Sequence, residues 1–334
     1  MAGVQPSELD PVVRFPFVIS PDHKVAVAGS CFAQHVARRL RSRGLNFFDV
    51  EPAHPLLPDD TVAEFCYGQF SARFGNIYTS RQLLQLLRRA YGRFQPAEDV
   101  WAESGRYFDP FRPTIQPNGF ATRQEYDADR RQHFAAVRRM FEQADVFIFT
   151  LGLTECWVSR TDGAVFPLCP GTAAGQFDPF RHAFANLTVE DVVADMTVFL
   201  AELRAINPAV RVVLTVSPVP LVATALDRHV LVSTVASKAV LRVAVERLTE
   251  LPGVTYFPSY EIITSPSARG SYFAEDLRSI REEGVRHVMD LFFKHVGASD
   301  VKRMPPSSEP KADLFRTAMQ NVVDTMCDEL RLDP

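Results

Sequence analysis

The chain has 334 residues, 46% of them hydrophobic and 23% charged, with a formal net charge of -4. This composition suits a large folded core and excludes global disorder, and the mild negative charge does not favour nucleic acid as a partner. Its five cysteines, Cys31, Cys66, Cys156, Cys169 and Cys327, are widely spaced with no CxxC pair or Cys/His run of zinc spacing, so no metal is expected.

Residues 1–22 contain Pro6, Pro11, Pro16 and Pro21 and read as an extended lead-in. Met1 to Asp10 has no apolar signal-like run, and no stretch approaches the roughly eighteen apolar residues of a membrane span. A cytoplasmic location with reduced thiols is the expectation. Lys24 to Gly29 then reads as a short buried strand. Phe32, Val36 and Leu40 follow at helical spacing, with Arg38, Arg39 and Arg41 on another side and Gly44 as a stop. Gly29 and Ser30 therefore occupy a strand-to-helix turn with almost no loop.

Leu45 to Val50 is a second candidate strand. Ser80 is placed as the cap of a helix reaching Tyr91. Residues 92–121, rich in Pro, Phe and Gly, read as an irregular surface insertion, a lid or binding loop. Thr122-Arg-Gln-Glu125 resembles a capping box that opens a helix to about Gln143. Val146 to Leu151 is a continuous apolar run ending at Gly152, a buried strand. Residues 159–186 form a second irregular insertion. Thr188 starts a helix that stops before Asn207-Pro208, and Arg211 to Val216 is a strand ending in Ser217-Pro218. A helix over 231–250, a strand at Val254 to Phe257, and helices near 282–296 and 311–331 complete the chain. Strands and helices alternate, which predicts an α/β fold: a mostly parallel sheet with helices on both faces, as one domain with two insertions.

In such sheets ligands bind beyond the carboxyl ends of the strands. Those ends here carry Gly29-Ser30-Cys31, Gly152-Leu153-Thr154-Glu155, Ser217-Pro218 and Pro258-Ser259-Tyr260. Cys31 is the most reactive residue type among them. At a helix start, unbonded N–H groups and the helix dipole favour a thiolate and can hold an oxyanion. The plainer readings are a buried apolar cysteine for Cys31 and a helix N-cap for Ser30. Of the eight histidines, His287, His35 and His229 compete as base, and sequence spacing does not rank them. Lys238 and Arg242 share a helix face and read as solvated surface.

Gly29-Ser30-Cys31-Phe32-Ala33 spells the motif that names the GSCFA-domain family, and four further stretches resemble the same family. They are Phe74-Gly75-Asn76-Ile77-Tyr78-Thr79, Thr150-Leu-Gly152-Leu-Thr154-Glu155-Cys-Trp157, Thr215-Val-Ser217-Pro218-Val-Pro220 and Tyr256-Phe-Pro258-Ser259-Tyr260-Glu261. The resemblance spans roughly residues 20–300. It implies kinship with the SGNH/GDSL esterases and hence a flavodoxin-like three-layer α/β/α sandwich. The catalytic domain would cover 23–300, with a C-terminal helix in 301–334 packed on it.

By register with the SGNH blocks, Cys31 takes the nucleophile position and Ser30 the place before it. Gly75 or Asn76, with Gly152 and Thr154, would form the oxyanion hole, although Thr154 stands where the pattern has Asn. His287 takes the base position, although Gly284 stands where the pattern has its Asp. Glu155, Ser217, Tyr78 and Trp157 are the substrate-binding candidates. The implied activity is acyl transfer through a Cys31 thioester, as an O-acyltransferase acting on a sugar or polysaccharide precursor or as an acyl esterase. No bound cofactor is expected; an acyl-CoA is the co-substrate a thioester would use, and the partner is a small molecule or glycan. The alternative is a non-catalytic module that binds a phosphate or carboxylate at the same turn.

Overall fold

The computed structural model describes residues 5–297. The helix expected near 311–331 and its packing on the domain lie outside the described residues. In chain order the elements begin with β1 (Val25–Gly29), α1 (Cys31–Ser42), α2 (Asp59–Glu64), α3 (Ser80–Ala90), β2 (Trp101–Glu103), β3 (Arg106–Phe108) and α4 (Arg123–Gln143). They continue with β4 (Val146–Leu151), β5 (Glu155–Ser159), β6 (Val165–Phe166), β7 (His182–Asn186), α5 (Val189–Ile206), β8 (Arg211–Val216), α6 (Val230–Leu248), β9 (Val254–Tyr256), α7 (Ser259–Thr264) and α8 (Glu282–His295).

The main sheet runs β1-β4-β8-β9, all parallel. Its central strands read as unbroken apolar runs because both faces are covered. Phe147 points to one face, where its ring meets Phe141 of α4 at 5.6 Å and Phe199 of α5 at 5.8 Å. Ile148 and Val213 point to the other face, toward Phe32 and Val36 of α1 and Val288, Met289 and Phe292 of α8. The result is a three-layer α/β/α sandwich. Each fully buried Val, Ile or Phe in it contributes roughly 1.5–3 kcal/mol over an exposed one.

On the outer side of β1, Val25 forms a single parallel bridge with Phe47. The segment at Leu45 to Val50 goes no further as a strand. Its N–H groups turn inward instead, Phe47 to the Leu45 carbonyl at 2.8 Å and Asp49 to the Phe47 carbonyl at 3.0 Å. Counting this vestige as the second strand, the order is the flavodoxin-like 2-1-3-4-5. Its switch point lies between β1 and β4.

Both insertions carry structure. Residues 92–121 contain the β2–β3 hairpin, turned by Ser104 and Gly105 with φ of 50° and 73°, the left-handed pair of a type I′ turn. Residues 159–186 supply most of an antiparallel β6-β5-β7 sheet. The cap of α3 is Thr79 rather than Ser80. Thr79 Oγ1 accepts from Gln82 N–H at 3.3 Å, and Gln82 Oε1 accepts from Thr79 N–H at 3.0 Å. The Ser80 hydroxyl instead donates to Asp195 at 3.1 Å.

Candidate functional site

The switch point holds the Gly29-Ser30-Cys31 turn. Gly29 has φ of 142°, and a Cβ there would lie 2.5 Å from the Thr150 carbonyl, so glycine is what lets β1 lie this close to β4. Ser30 N–H donates to the Thr150 carbonyl at 3.2 Å, and Ile77 N–H donates to the Gly29 carbonyl at 2.9 Å. The turn is thus held between β4 and the segment 75–78 that crosses beside it. Ser30 stands at the N-cap position of α1, but its hydroxyl caps nothing. Ser30 is only 3% exposed, and its Oγ has no hydrogen-bond partner. Cys31, at 8% exposed, is the first residue of α1. The helix start leaves the Phe32 N–H without an intrahelical acceptor.

Two glycines shape the neighbourhood. Gly75 has φ of 68°, and a Cβ there would meet nothing within 4 Å. Among the described residues, no hydrogen bond uses its N–H. Gly152 is the opposite case: a Cβ there would lie 2.7 Å from Ser30 Cβ and 3.3 Å from the Tyr78 carbonyl. The Tyr78 carbonyl accepts from Gly152 N–H at 3.0 Å and Leu153 N–H at 2.9 Å. Thr154 donates its N–H to Ser237 Oγ at 3.1 Å, and its own hydroxyl meets the same oxygen at 3.0 Å. The donors of 152–154 are therefore spent inside the protein. Gly152 and Thr154 form the floor under Ser30, and the open backbone donor lies at Gly75.

Asn76 and Gln34 are both buried, and Gln34 Nε2 donates to Asn76 Oδ1 at 3.4 Å. Gln34 was not singled out from the sequence, although a polar residue three after Cys31 on an otherwise apolar helix face was its signal. The residues leading into Gly75 are braced by a buried charge network. Arg73 N–H donates to Glu51 at 2.6 Å, and Arg112 binds Asp109 at 2.8 Å and Asp129 at 2.6 Å. His133 Nδ1 lies 2.7 Å from the Glu51 carboxylate. Burial opposes the Glu51 charge, but His133 and Arg112 prevail and hold its carboxyl down at about 2. Residues 109–112 of the first insertion are thus clamped into the protein by paired charges.

Lys238 of α6 is not solvated. It is 1% exposed, and its Nζ donates to the Gly152 carbonyl at 2.7 Å. Its neighbour on that face, Arg242, does lie near the surface, paired with Glu246 and Glu261.

The candidate bases have the following hydrogen-bond partners. His287 Nδ1 meets the Tyr272 hydroxyl at 2.7 Å, and its ring lies against the Leu9 backbone with Asp10 and Asp290 nearby. Burial nevertheless pulls its pKa below the ordinary value. Gly284 explains the missing acid: a Cβ there would lie 2.9 Å from Tyr272 Cβ, so the Tyr272 ring fills the space and its hydroxyl takes the imidazole nitrogen. His35, one turn after Cys31, is pushed down to about 3 by burial and by Arg38 and Arg39. Such an imidazole stays neutral and is a poor proton acceptor. His229 caps α6, accepting from Leu231 N–H at 3.2 Å.

The other candidates are engaged in packing. Glu155 accepts from the Thr224 hydroxyl at 2.8 Å. Trp157 packs edge-on against Phe177 and Phe184. Ser217 is buried, and its hydroxyl accepts from Val219 N–H at 3.3 Å. Among the described residues, Cys31, Cys66, Cys156 and Cys169 form no disulfide. Burial pushes Cys156 up to about 12. Among the described residues no cluster of three or more His, Cys, Asp or Glu is arranged to hold a metal, and no helix is long and apolar enough to cross a membrane.

Residues 24–292 match the sequence model of the GSCFA family. No curated protein matches the chain. Among solved structures, a carbohydrate esterase family 3 from Talaromyces cellulolyticus aligns at 15% identity, covering 67% of this chain and 93% of that one, with a TM-score of 0.29.

Proposed function

Because the chain belongs to the GSCFA family, and because its GSCFA motif forms the turn at the switch point of the sheet, we propose that this turn is an acyl-transfer site with Cys31 as nucleophile. The observation that carries the reading is the placement of Cys31 at the first residue of α1, directly after the Gly29-Ser30 turn at the switch point of the sheet. The thiolate attacks the acyl carbonyl, and an S–C bond forms. The oxyanion draws hydrogen bonds from donors such as the Phe32 and Gly75 N–H groups. When the intermediate collapses, the bond to the leaving alkoxide or thiolate breaks, and that group takes up a proton. A hydroxyl, from a sugar or from water, then attacks the thioester and returns Cys31. Transfer and hydrolysis differ only in this acceptor.

This reading does not route its proton through His287, whose Nδ1 meets the Tyr272 hydroxyl at 2.7 Å. A thiol ionises near pH 8.5 unaided, so it depends on a hydrogen-bonded imidazole less than a serine does. The test is turnover of an aryl acetate by wild type, Cys31→Ala and Ser30→Ala. The expected result is turnover lost in Cys31→Ala and retained in part in Ser30→Ala. Equal turnover in wild type and Cys31→Ala contradicts the reading. Ligand-induced thermal stabilisation by phosphate or acetate without any turnover favours a binding module instead.

A further inference from the structure

We infer that the outer face of α5 and α6 joins two copies of this chain, with α6 of one copy lying antiparallel to α6 of the other. The inference goes beyond the acyl-transfer reading and does not depend on it.

A helix on a protein surface normally turns charged and polar side chains to water. α4 does so, exposing Gln124, Glu125, Arg131, Gln132 and Arg139. α6, in the same layer, does not. From Val230 to Leu241 its one charged residue is Lys238, which is buried. Its outer face carries Leu231, Val232, Val235, Ala239 and Val243. Leu231 is 64% exposed and Val235 60%. α5 lies alongside α6 and adds exposed Ala194, Val198 and Ala201. Single exposed apolar side chains are ordinary, whereas a continuous apolar face marks an interaction surface.

The pattern on α6 points to a second copy as the occupant. Leu231, Val235, Ala239 and Val243 recur every four residues, so they form one ridge along the helix. Such a ridge is its own complement under a two-fold axis level with Ser237. Leu231 of one copy then faces Val243 of the other. Val235 faces Ala239, a larger residue against a smaller one at the centre. The same axis matches the charges at the two ends. It sets exposed Asp227 against Arg247, and exposed Arg228 against Glu246. A parallel arrangement would set like against like. Glu246 and Arg247 also have partners in their own chain, Arg242 at 2.7 Å and Glu190 at 3.5 Å, yet both stay more than half exposed. The apolar ridge supplies the attraction, and the end charges select the orientation. Residues 298–334 follow α8, which packs with α1 on the opposite face of the sheet. They start far from this ridge, whereas a second copy matches it in both shape and charge.

The test is sedimentation velocity of the full chain over a hundredfold range of micromolar concentration. The proteins compared are wild type, Val235→Glu, Arg228→Glu and the exchange variant Arg228→Glu with Glu246→Arg. Circular dichroism establishes that each is folded. Wild type is expected to form a species of twice the 37.4 kDa chain mass. Val235→Glu places a carboxylate at the apolar centre and is expected to raise the dimer dissociation constant more than about tenfold. Arg228→Glu sets like charges together at both ends and is expected to raise it several-fold. In the exchange variant each glutamate again meets an arginine, and the constant is expected to return toward the wild-type value. If Val235→Glu does not fold, Leu231→Gln on the exposed first turn takes its place. Wild type that sediments as a monomer throughout overturns the inference, whether residues 298–334, another protein or a lipid surface then covers the face. A dimer undisturbed by the α6 substitutions also overturns it. An exchange variant weaker than Arg228→Glu alone overturns the antiparallel pairing.

Discussion

A Cβ on Gly152 would lie 2.7 Å from the Cβ of Ser30, so the third sequence block is packed directly against the first. Gly152→Ala forces this contact apart between one backbone segment bound to Tyr78 and another bound to Thr150 and Ile77. It is expected to destabilise the protein by roughly 1–3 kcal/mol and to cut turnover with it. Gly75→Ala meets no atom within 4 Å and suffers only the strain of its positive φ, about 1 kcal/mol. Urea unfolding midpoints of the two variants compare these costs directly. An equal loss at both positions would count against the close packing at Gly152.

His287→Gln separates the geometric account from the esterase pattern. With Tyr272 on Nδ1 and Leu9 beside the ring, acyl chemistry at Cys31 is expected to change by less than about twofold. Tyr272→Phe removes one hydrogen bond and is expected to cost about 1 kcal/mol of stability. A loss of turnover greater than about tenfold in His287→Gln would make His287 the base after all.

Acid stability offers a third check. His35 has a folded pKa of about 3, below the ordinary 6.5. On acidification the unfolded chain takes up this proton first. The contribution is therefore present above pH 6.5 and is lost as pH falls from 6.5 toward 3. His133, also depressed by burial, adds in the same direction. His35→Leu is expected to flatten the fall of Tm between about pH 6.5 and 5, where ordinary carboxylates contribute little. An unchanged slope in this window would show that His35 titrates normally.

The charge network behind Gly75 can be broken at one point. Arg112→Met strands the buried Asp109 carboxylate, whose pKa burial raises but Arg112 and Arg89 bring below the ordinary value. A loss of about 3–5 kcal/mol is expected in thermal or urea unfolding. A loss under about 1 kcal/mol would mean that the network contributes little to holding the insertion.

The elements legible in the sequence were those with a strong period or a clear stop. Val146–Leu151 read as a buried strand because both its faces are covered, and Thr122 and Thr188 marked helix starts through their own hydroxyl caps. Short antiparallel strands were not legible. β2 and β3 have three residues each, too few to display alternation, and the Ser104-Gly105 turn was the remaining cue. Leu45–Val50 has the composition of a strand, but local hydrogen bonds at Phe47 and Asp49 end its pairing after one bridge.

At the site, the Ser30–Cys31 turn followed from strand and helix periodicity alone. Lys238 was misread as surface because helical spacing places residues on a face without saying what covers that face. The fate of Gly152 and Thr154 was equally hidden, since their partners Tyr78 and Ser237 lie far away in sequence. Tyr272 as the occupant of the space left by Gly284 depends on a loop whose path no periodicity encodes.

The most direct measurement is peptide-resolved mass after a rapid acid quench of the protein mixed with acetyl-CoA or an aryl acetate. The account predicts one acetyl group on the peptide bearing Cys31, labile to hydroxylamine as a thioester is, and absent from Cys31→Ala. An acetyl group on Ser30 that persists in Cys31→Ala, or no adduct on either residue, would contradict it.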